Sequence, residues 1–232
     1  MSLPMAAAAT LLLGYLLGSI PTSILVGRIF FRKDPRNFGS GNAGGTNSFR
    51  VFGWKAGLFV SVFDVAKAYG ASAAGAALAA ARTAGGAAAA LPAWAPEAEV
   101  LGLLGGAAAV AGHVWPLFAG FRGGKGVACA GGLLLAAAPL PFLAAAGVFA
   151  LILGSFGIVS LASVGAALAF PLAVTIARAS GAAVGLPLLT AAWLLGPFIA
   201  WTHRANLARL LRGEEKRFEK VRFIGRIFDR RT

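Results

Sequence analysis

From Gly126 to Ala177 the chain carries no Asp, Glu, Lys or Arg. One crossing of a bilayer takes ~20 mostly apolar residues, with ~17 tolerated. The run is therefore too long for one or two crossings and suits three, broken near Pro139–Pro141 and near Ser160–Ser163. Such a stretch has no place in a water-soluble domain, and the rest of the chain agrees. It is 58% hydrophobic and 12% charged, with a mean hydropathy of +0.78; soluble domains carry about 25% charged residues. The fold class expected is all-α, a polytopic integral membrane protein.

Further spans are expected at about 5–27, 54–76, 98–119 and 185–202, with the central run divided as 126–143, 145–159 and 162–177. That makes seven in a single membrane domain, followed by a basic tail over 203–232. The first span contains Gly18-Ser19-Ile20-Pro21, where proline kinks a helix and leaves a carbonyl for a neighbour to satisfy. It has no basic leader and no clear cleavage site, so it reads as a retained span. Residues 77–97, with Arg82, Pro92, Trp94, Pro96 and Glu97, read as a connecting loop with an interfacial aromatic, or in its Ala-rich part as a short interfacial helix. The tail is expected to form an amphipathic helix on the membrane surface. Abundant Ala and Gly suit close helix contact in lipid.

Charge sets the orientation. With the N-terminus outside, Arg28, Arg32, Lys33, Arg36, Arg50, Lys55, Arg122, Lys125 and the whole basic tail lie inside, and only Arg82 and Arg178 lie outside. The net charge of +13 thus reflects topology and anionic lipid headgroups rather than nucleic acid. The single cysteine, Cys129, excludes an internal disulfide.

Three polar constellations fall on the inner side under this topology. Residues 39–50, GSGNAGGTNSFR, crowd four glycines with Ser40, Asn42, Thr46, Asn47 and Arg50. Glycine, serine and asparagine at this density make turns rich in donors, and arginine clasps a phosphate in a bidentate way. Residues 112–126, GHVWPLFAGFRGGKG, hold His113 and end in Gly123-Gly124-Lys125-Gly126. Glycines let backbone N–H groups approach an anion, and lysine adds a compact charge. The third set is split between Ser160 and Ser163 at a helix break and His203 and Asn206 at the end of the last span. Each set also fits a plainer role: topogenic loop, interfacial histidine, helix cap. Asp64 and Lys67 stand three residues apart inside a span. A lone charge there costs ~2.5–3.5 kcal/mol, so pairing is the simplest account.

No G-x-S-x-G, H-E-x-x-H, Walker lysine with a following hydroxyl, or inside carboxylate cluster for Mg²⁺ is present, and four residues after His113 stands Leu117 instead of the Asp of an H-x₄-D acyltransferase. The inventory favours anion binding over a nucleophile with its base, with no metal and no cofactor expected. An exporter of a phosphorylated solute and a lipid-binding scaffold remain open on this count, although no inverted repeat supports the first.

These motifs, in order and spacing, resemble the acyl-phosphate:glycerol-3-phosphate acyltransferases, the PlsY family of bacterial membranes. The resemblance takes in GSIP, GSGNAGGTNSFR, Asp64 and Lys67, GHVWPLFAGFRGGKGVA, SLAS and HRANLARLLRGEEK. It implies seven helices with the N-terminus outside, and transfer of an acyl group from acyl phosphate to the 1-hydroxyl of glycerol 3-phosphate, giving lysophosphatidic acid and phosphate. It implies the cytoplasmic face of the inner membrane, anionic phospholipid surroundings, and functional coupling to the enzyme that makes acyl phosphate. Carried over to this chain, Ser40, Arg50, Lys125, His203 and Asn206 are the catalytic positions. Gly41, Asn42, Thr46, Asn47, His113, Gly123, Gly124, Gly126, Ser160 and Ser163 bind substrate. Asp64, Lys67 and Glu215 support the structure. The chain departs from the usual pattern at Gly45, Cys129, Gly157-Ile158 and Glu214.

Overall fold

A computed structural model describes residues 1–86 and 96–224, Lys220 by its backbone alone. Among the described residues all regular structure is helical: α1 Leu3–Gly18, α2 Thr22–Phe31, α3 Gly45–Phe52, α4 Trp54–Ala84, α5 Glu97–Val114, α6 Val127–Ala137, α7 Pro139–Phe156, α8 Val159–Ala179, α9 Leu186–Thr202 and α10 Arg204–Leu211. The expected interfacial Trp94 and its neighbour Pro92 lie outside the described residues, as does the end of the tail.

By length and hydropathy, four segments can cross a membrane: Leu3–Phe31, Glu97–Ala119, Pro139–Phe156 and Val159–Ala179. The pair α9 and α10, bent by 62° where they meet, makes a fifth when taken together. Two of the seven expected spans fall short for different reasons. Over the expected 54–76, α4 has length to spare at 31 residues, but Lys55, Asp64, Lys67 and several Gly and Ser lower its hydropathy. It also runs on to Ala84, where a loop was expected from residue 77, because alanine is the strongest helix former. Over the expected 126–143, α6 stops after 11 residues, about 16 Å, at Ala137. The break thus falls at Ala138, beside the Pro139–Pro141 expected to make it, and not at the 143–145 boundary of the expected spans. Pro139 at the start of α7 has no N–H to give and forces the residue before it out of helical conformation.

The chain divides into two compact units, Met1–Ala137 with Gly185–Leu188, and Ala138–Val184 with Leu189–Thr232. In the first, α5 packs against α1, α4 and α6. The contacts are backbone to backbone. A Cβ on Gly105 would sit 2.4 Å from the Ala71 carbonyl oxygen, and one on Gly132 would sit 2.0 Å from that of Val65. Leu101, Ala6 and Ala79 fill the space between. Glu99 reaches from α5 to the start of α9, accepting from the Gly185 and Leu188 N–H groups at 3.2 and 3.1 Å. Those are amides a helix start leaves without partners. At the same end of α5, Arg82 pairs with Glu97 at 2.5 Å and donates to the Met1 carbonyl.

In the second unit α7 packs on α8, and the turn between them is made by Gly157 at φ 68°, whose N–H returns to the Leu153 carbonyl. A left-handed residue at the end of a helix favours glycine. This accounts for one departure from the family pattern. The chain after α10 folds back on the same turn, with the Phe218 N–H on the Gly157 carbonyl at 2.7 Å.

A prediction follows from the packing. Gly105→Val places atoms where the α4 backbone stands and should destabilise the protein by about 1–3 kcal/mol or more. Gly70→Ala, with nothing within 4 Å of the new atom and a position inside α4, should leave it unchanged or stabilise it by up to about 1 kcal/mol. Melting temperatures in one detergent compare the two directly.

Candidate functional site

The loop from α2 to α3 is built on two residues. Asp34 opens the 3₁₀ turn Pro35–Asn37 by accepting from the Arg36 N–H at 3.0 Å, and its carboxylate also takes Arg36 Nη2 at 2.8 Å and Arg28 at 3.2 Å. The Arg36 hydrogen bonds hold its pKa down at about 2, against the opposing effect of burial. Arg36 in turn donates to the Ala119 carbonyl at 2.9 Å and ties this loop to the next one. Asn47 is the second organiser, almost fully buried. Its Nδ2 faces the carbonyls of Pro35, Phe38 and Asn42 at 2.8–3.1 Å, and its Oδ1 accepts from the Ser40 N–H at 2.8 Å. An amide has two hydrogens, so Asn47 has none left for a ligand. Ser48 is likewise engaged, with Ser23 and the Gly44 carbonyl. By contrast, the side chains of Ser40, Asn42 and Thr46 have no hydrogen-bond partner among the described residues and are partly exposed. Of the expected binders, then, Asn47 shapes the loop while these three face outward from it. Gly41 lies at φ 72° in the same turn, and Arg50 follows on α3.

The second stretch starts in the last turn of α5. His113 is buried there, and the chain turns over Pro116 and the 3₁₀ turn Leu117–Ala119 before doubling back. The Gly124 N–H meets the His113 carbonyl at 3.1 Å, and that of Gly123 meets the Val114 carbonyl at 3.2 Å. Those two amides are spent on the protein. Glycine is needed at both places for room: a Cβ on Gly123 would lie 2.0 Å from the His113 oxygen, and one on Gly124 would lie 2.2 Å from His113 Nε2 and 3.1 Å from the Ala43 oxygen. A Cβ on Gly44 would reach Gly124 at 4.0 Å. The first two sequence motifs therefore touch, at 43–44 and 124, with Lys125 next along and Gly126 turning at φ 83°.

Beneath them is a buried ionic cluster. The Lys67 ammonium lies 2.8 Å from Asp64 Oδ1, 2.9 Å from the Ile20 carbonyl and 3.2 Å from His113 Nδ1. Thr22, the first residue of α2, donates to Asp64 at 3.1 Å. The expected pairing of Asp64 with Lys67 is thus the centre of something larger, which fills the break between α1 and α2. Cys129 joins the same group: the ligating atoms of Asp64, His113 and Cys129 lie within 4.8 Å of one another. That spacing suits a metal ion, but the Lys67 ammonium already holds the cationic place among them.

The third constellation lies in the second unit and is gathered by Glu215. Its carboxylate accepts from Ser160 Oγ at 3.1 Å, Asn206 Nδ2 at 2.6 Å and Arg209 Nε at 2.9 Å. Burial alone would raise the Glu215 pKa, but the hydrogen bonds from Asn206, Arg209 and Ser160 outweigh it and lower the pKa. Ser163 returns its hydrogen to the Val159 carbonyl at 2.8 Å. His203, buried at the bend between α9 and α10, has Nδ1 2.9 Å from the Ile199 carbonyl. A carbonyl only accepts, so that nitrogen carries a hydrogen.

Sequence reasoning missed Asp34, Arg36, Thr22 and the setting of Cys129. The Asp-Pro-Arg order of residues 34–36 is a legible turn signal. The other two depend on residues far along the chain.

Replacing Glu215 with Ala leaves three donors without their acceptor and should cost about 2–3 kcal/mol. The charge dependence has a definite sign. A carboxylate with a lowered folded pKa stabilises fully above ~4.3 and loses that contribution as the pH falls through the folded value. The gap in melting temperature between wild type and Glu215→Gln should be widest near pH 7 and narrow on acidification.

A sequence profile described as glycerol-3-phosphate acyltransferase matches residues 8–213. A glycerol-3-phosphate acyltransferase of Chlorobaculum parvum is 42% identical over 227 residues, covering 90% of this chain and 95% of that protein. One from Listeria monocytogenes is 44% identical over 211 residues, covering 90% and 94%. The crystal structure of PlsY, an integral membrane glycerol 3-phosphate acyltransferase, in its glycerol 3-phosphate form, superposes with a TM-score of 0.72 at 33% identity over 91% of this chain and 95% of that one. Its lysophosphatidic acid form gives 0.72 at 31% identity, over 94% and 98%. The chain belongs to the PlsY family of integral membrane glycerol-3-phosphate acyltransferases.

Proposed function

We propose that this acyltransferase takes its acyl group from acyl phosphate and delivers it to the 1-hydroxyl of sn-glycerol 3-phosphate, releasing lysophosphatidic acid and inorganic phosphate. The observation that carries the reading is the meeting of the two glycine-rich loops at residues 43–44 and 124. It brings the unengaged side chains of Ser40, Asn42 and Thr46 toward the loop of Lys125, a set of donors suited to phosphate. Both proposed substrates carry one. An acyl phosphate is a mixed anhydride whose phosphate leaves readily, so holding two anions in line and offsetting their repulsion supplies much of the rate. The one thiol, Cys129, is fully buried, which suits direct transfer better than an acyl-enzyme.

In the proposed step the glycerol hydroxyl oxygen bonds to the acyl carbon, the acyl C–O bond to phosphate breaks, and phosphate departs with that electron pair. The hydroxyl proton passes to a substrate phosphate, with His203 Nε2 as the rival acceptor. Arg50 and Lys125 neutralise phosphate charge. His203 and Asn206 enter as catalytic residues on the family resemblance. The reaction is placed at the cytoplasmic face of a bacterial inner membrane, as the first acylation of phospholipid synthesis, next to the enzyme that supplies acyl phosphate.

Purified protein given palmitoyl phosphate and glycerol 3-phosphate should release phosphate and form lysophosphatidic acid. Turnover with acyl-CoA but none with acyl phosphate would refute the donor assignment. Arg50→Ala and Lys125→Ala should each lower kcat/KM by about 10²-fold or more. With His203→Gln, surviving activity and an unmoved acid limb of the pH–rate profile would exclude histidine as the base.

A further inference from the structure

The atoms around Lys67 decide which nitrogen of His113 carries hydrogen. An ammonium has three hydrogens and no lone pair. That of Lys67 faces three acceptors, Asp64 Oδ1 at 2.8 Å, the Ile20 carbonyl at 2.9 Å and His113 Nδ1 at 3.2 Å. Nδ1 is thus an acceptor. The alternative, an Nδ1–H donating to Asp64, has a separation of 3.5 Å, longer than the 2.7–3.2 Å of ordinary N–H···O bonds. It would also set an N–H against an ammonium. Charge gives the same answer. Asp64, Lys67, a neutral His113 and the Cys129 thiol beside them sum to zero, whereas an imidazolium next to a thiol leaves a positive charge buried among residues that are all more than nine-tenths covered.

The hydrogen of His113 therefore sits on Nε2. That edge of the ring lies against Gly124, where an added Cβ would come within 2.2 Å of Nε2. The carbonyl of the same histidine accepts the Gly124 N–H. We propose that Lys67 is a positioning residue: it locks His113 as the neutral Nε2–H tautomer and so turns a hydrogen-bond donor toward the Gly123–Gly126 loop, beside Lys125, to hold a substrate phosphate. The role of the donor rests on the function proposed above; the tautomer does not.

The chain makes the test readable, because it has only two histidines and they are held in opposite ways. His203 carries its hydrogen on Nδ1, facing the Ile199 carbonyl. In protein labelled with [¹⁵N]histidine and placed in lipid nanodiscs, solid-state NMR at neutral pH should give His113 one protonated Nε2 and one bare Nδ1. A protonated Nδ1 or an imidazolium at residue 113 would overturn the proposal without any variant. Two charge-neutral double variants then isolate Lys67. Asp64→Asn with Lys67→Gln keeps a donor for Nδ1, and should retain the single tautomer. Asp64→Asn with Lys67→Met removes that donor. It should show both tautomers and raise the KM for one phosphate substrate about 10-fold or more relative to the first variant, with kcat changed less. Equal kinetics in the two, or an unaltered Nε2–H signal in the second, would refute the positioning role. Failure of wild-type protein to release phosphate from acyl phosphate would instead count against the donor assignment and leave the NMR result standing.

Discussion

The first unit hangs on a single ammonium group. Between α1 and α2 the chain breaks at Ser19–Pro21, and a break inside a membrane leaves backbone oxygens that must find donors from elsewhere in the protein. Lys67 supplies one to the Ile20 carbonyl. A lysine at that depth is tolerated because Asp64, one turn away on the same helix, neutralises it, and because Thr22 and His113 complete the surroundings. Each member justifies the burial of the next, so removing one strands a charge while removing the pair together does not. The end of α5, and with it the glycine-lysine loop, is fixed from below by the same contacts.

The polar residues divide into those that build and those that are left exposed. Asn47, Ser48, Asp34 and Glu215 use their hydrogen-bonding capacity on the chain itself. Ser40, Asn42 and Thr46 do not. The two kinds alternate within a few residues of one loop, so the loop is rigid because of some side chains and receptive because of others. This is how an irregular segment serves a reaction that depends on alignment rather than on a strong nucleophile.

Much of this could be read from the order of residues, and the exceptions have a common cause. Hydropathy located the apolar segments and proline located their ends, since both act locally; even so, α6 stopped short at Ala137, where Pro139 dictates the stop more firmly than hydropathy extends the helix. The pairing of Asp64 and Lys67 followed from their spacing on one helix. What they pair with besides each other did not, because Ile20 and His113 are separated from Lys67 by 47 and 46 positions. Asn47 looked like a ligand donor since its amide is chemically identical whether it meets a phosphate or three carbonyls. The glycines at 123 and 124 were legible as glycines required, but the clearance they give the histidine, and the carbonyls their amides meet, depend on how the chain doubles back.

Glu99 carries a consequence for how such a chain is made. Its carboxylate closes the start of α9 across 86 and 89 positions of sequence, so the clasp has no partner until α7 and α8 have been synthesised and sorted into the bilayer. Until then a carboxylate waits near the start of α5 with only solvent or headgroups to satisfy it. Biogenesis is therefore not complete when the last helix emerges; it ends with a return to a segment threaded much earlier, and anything that delays the intervening hairpin prolongs the life of a half-assembled protein.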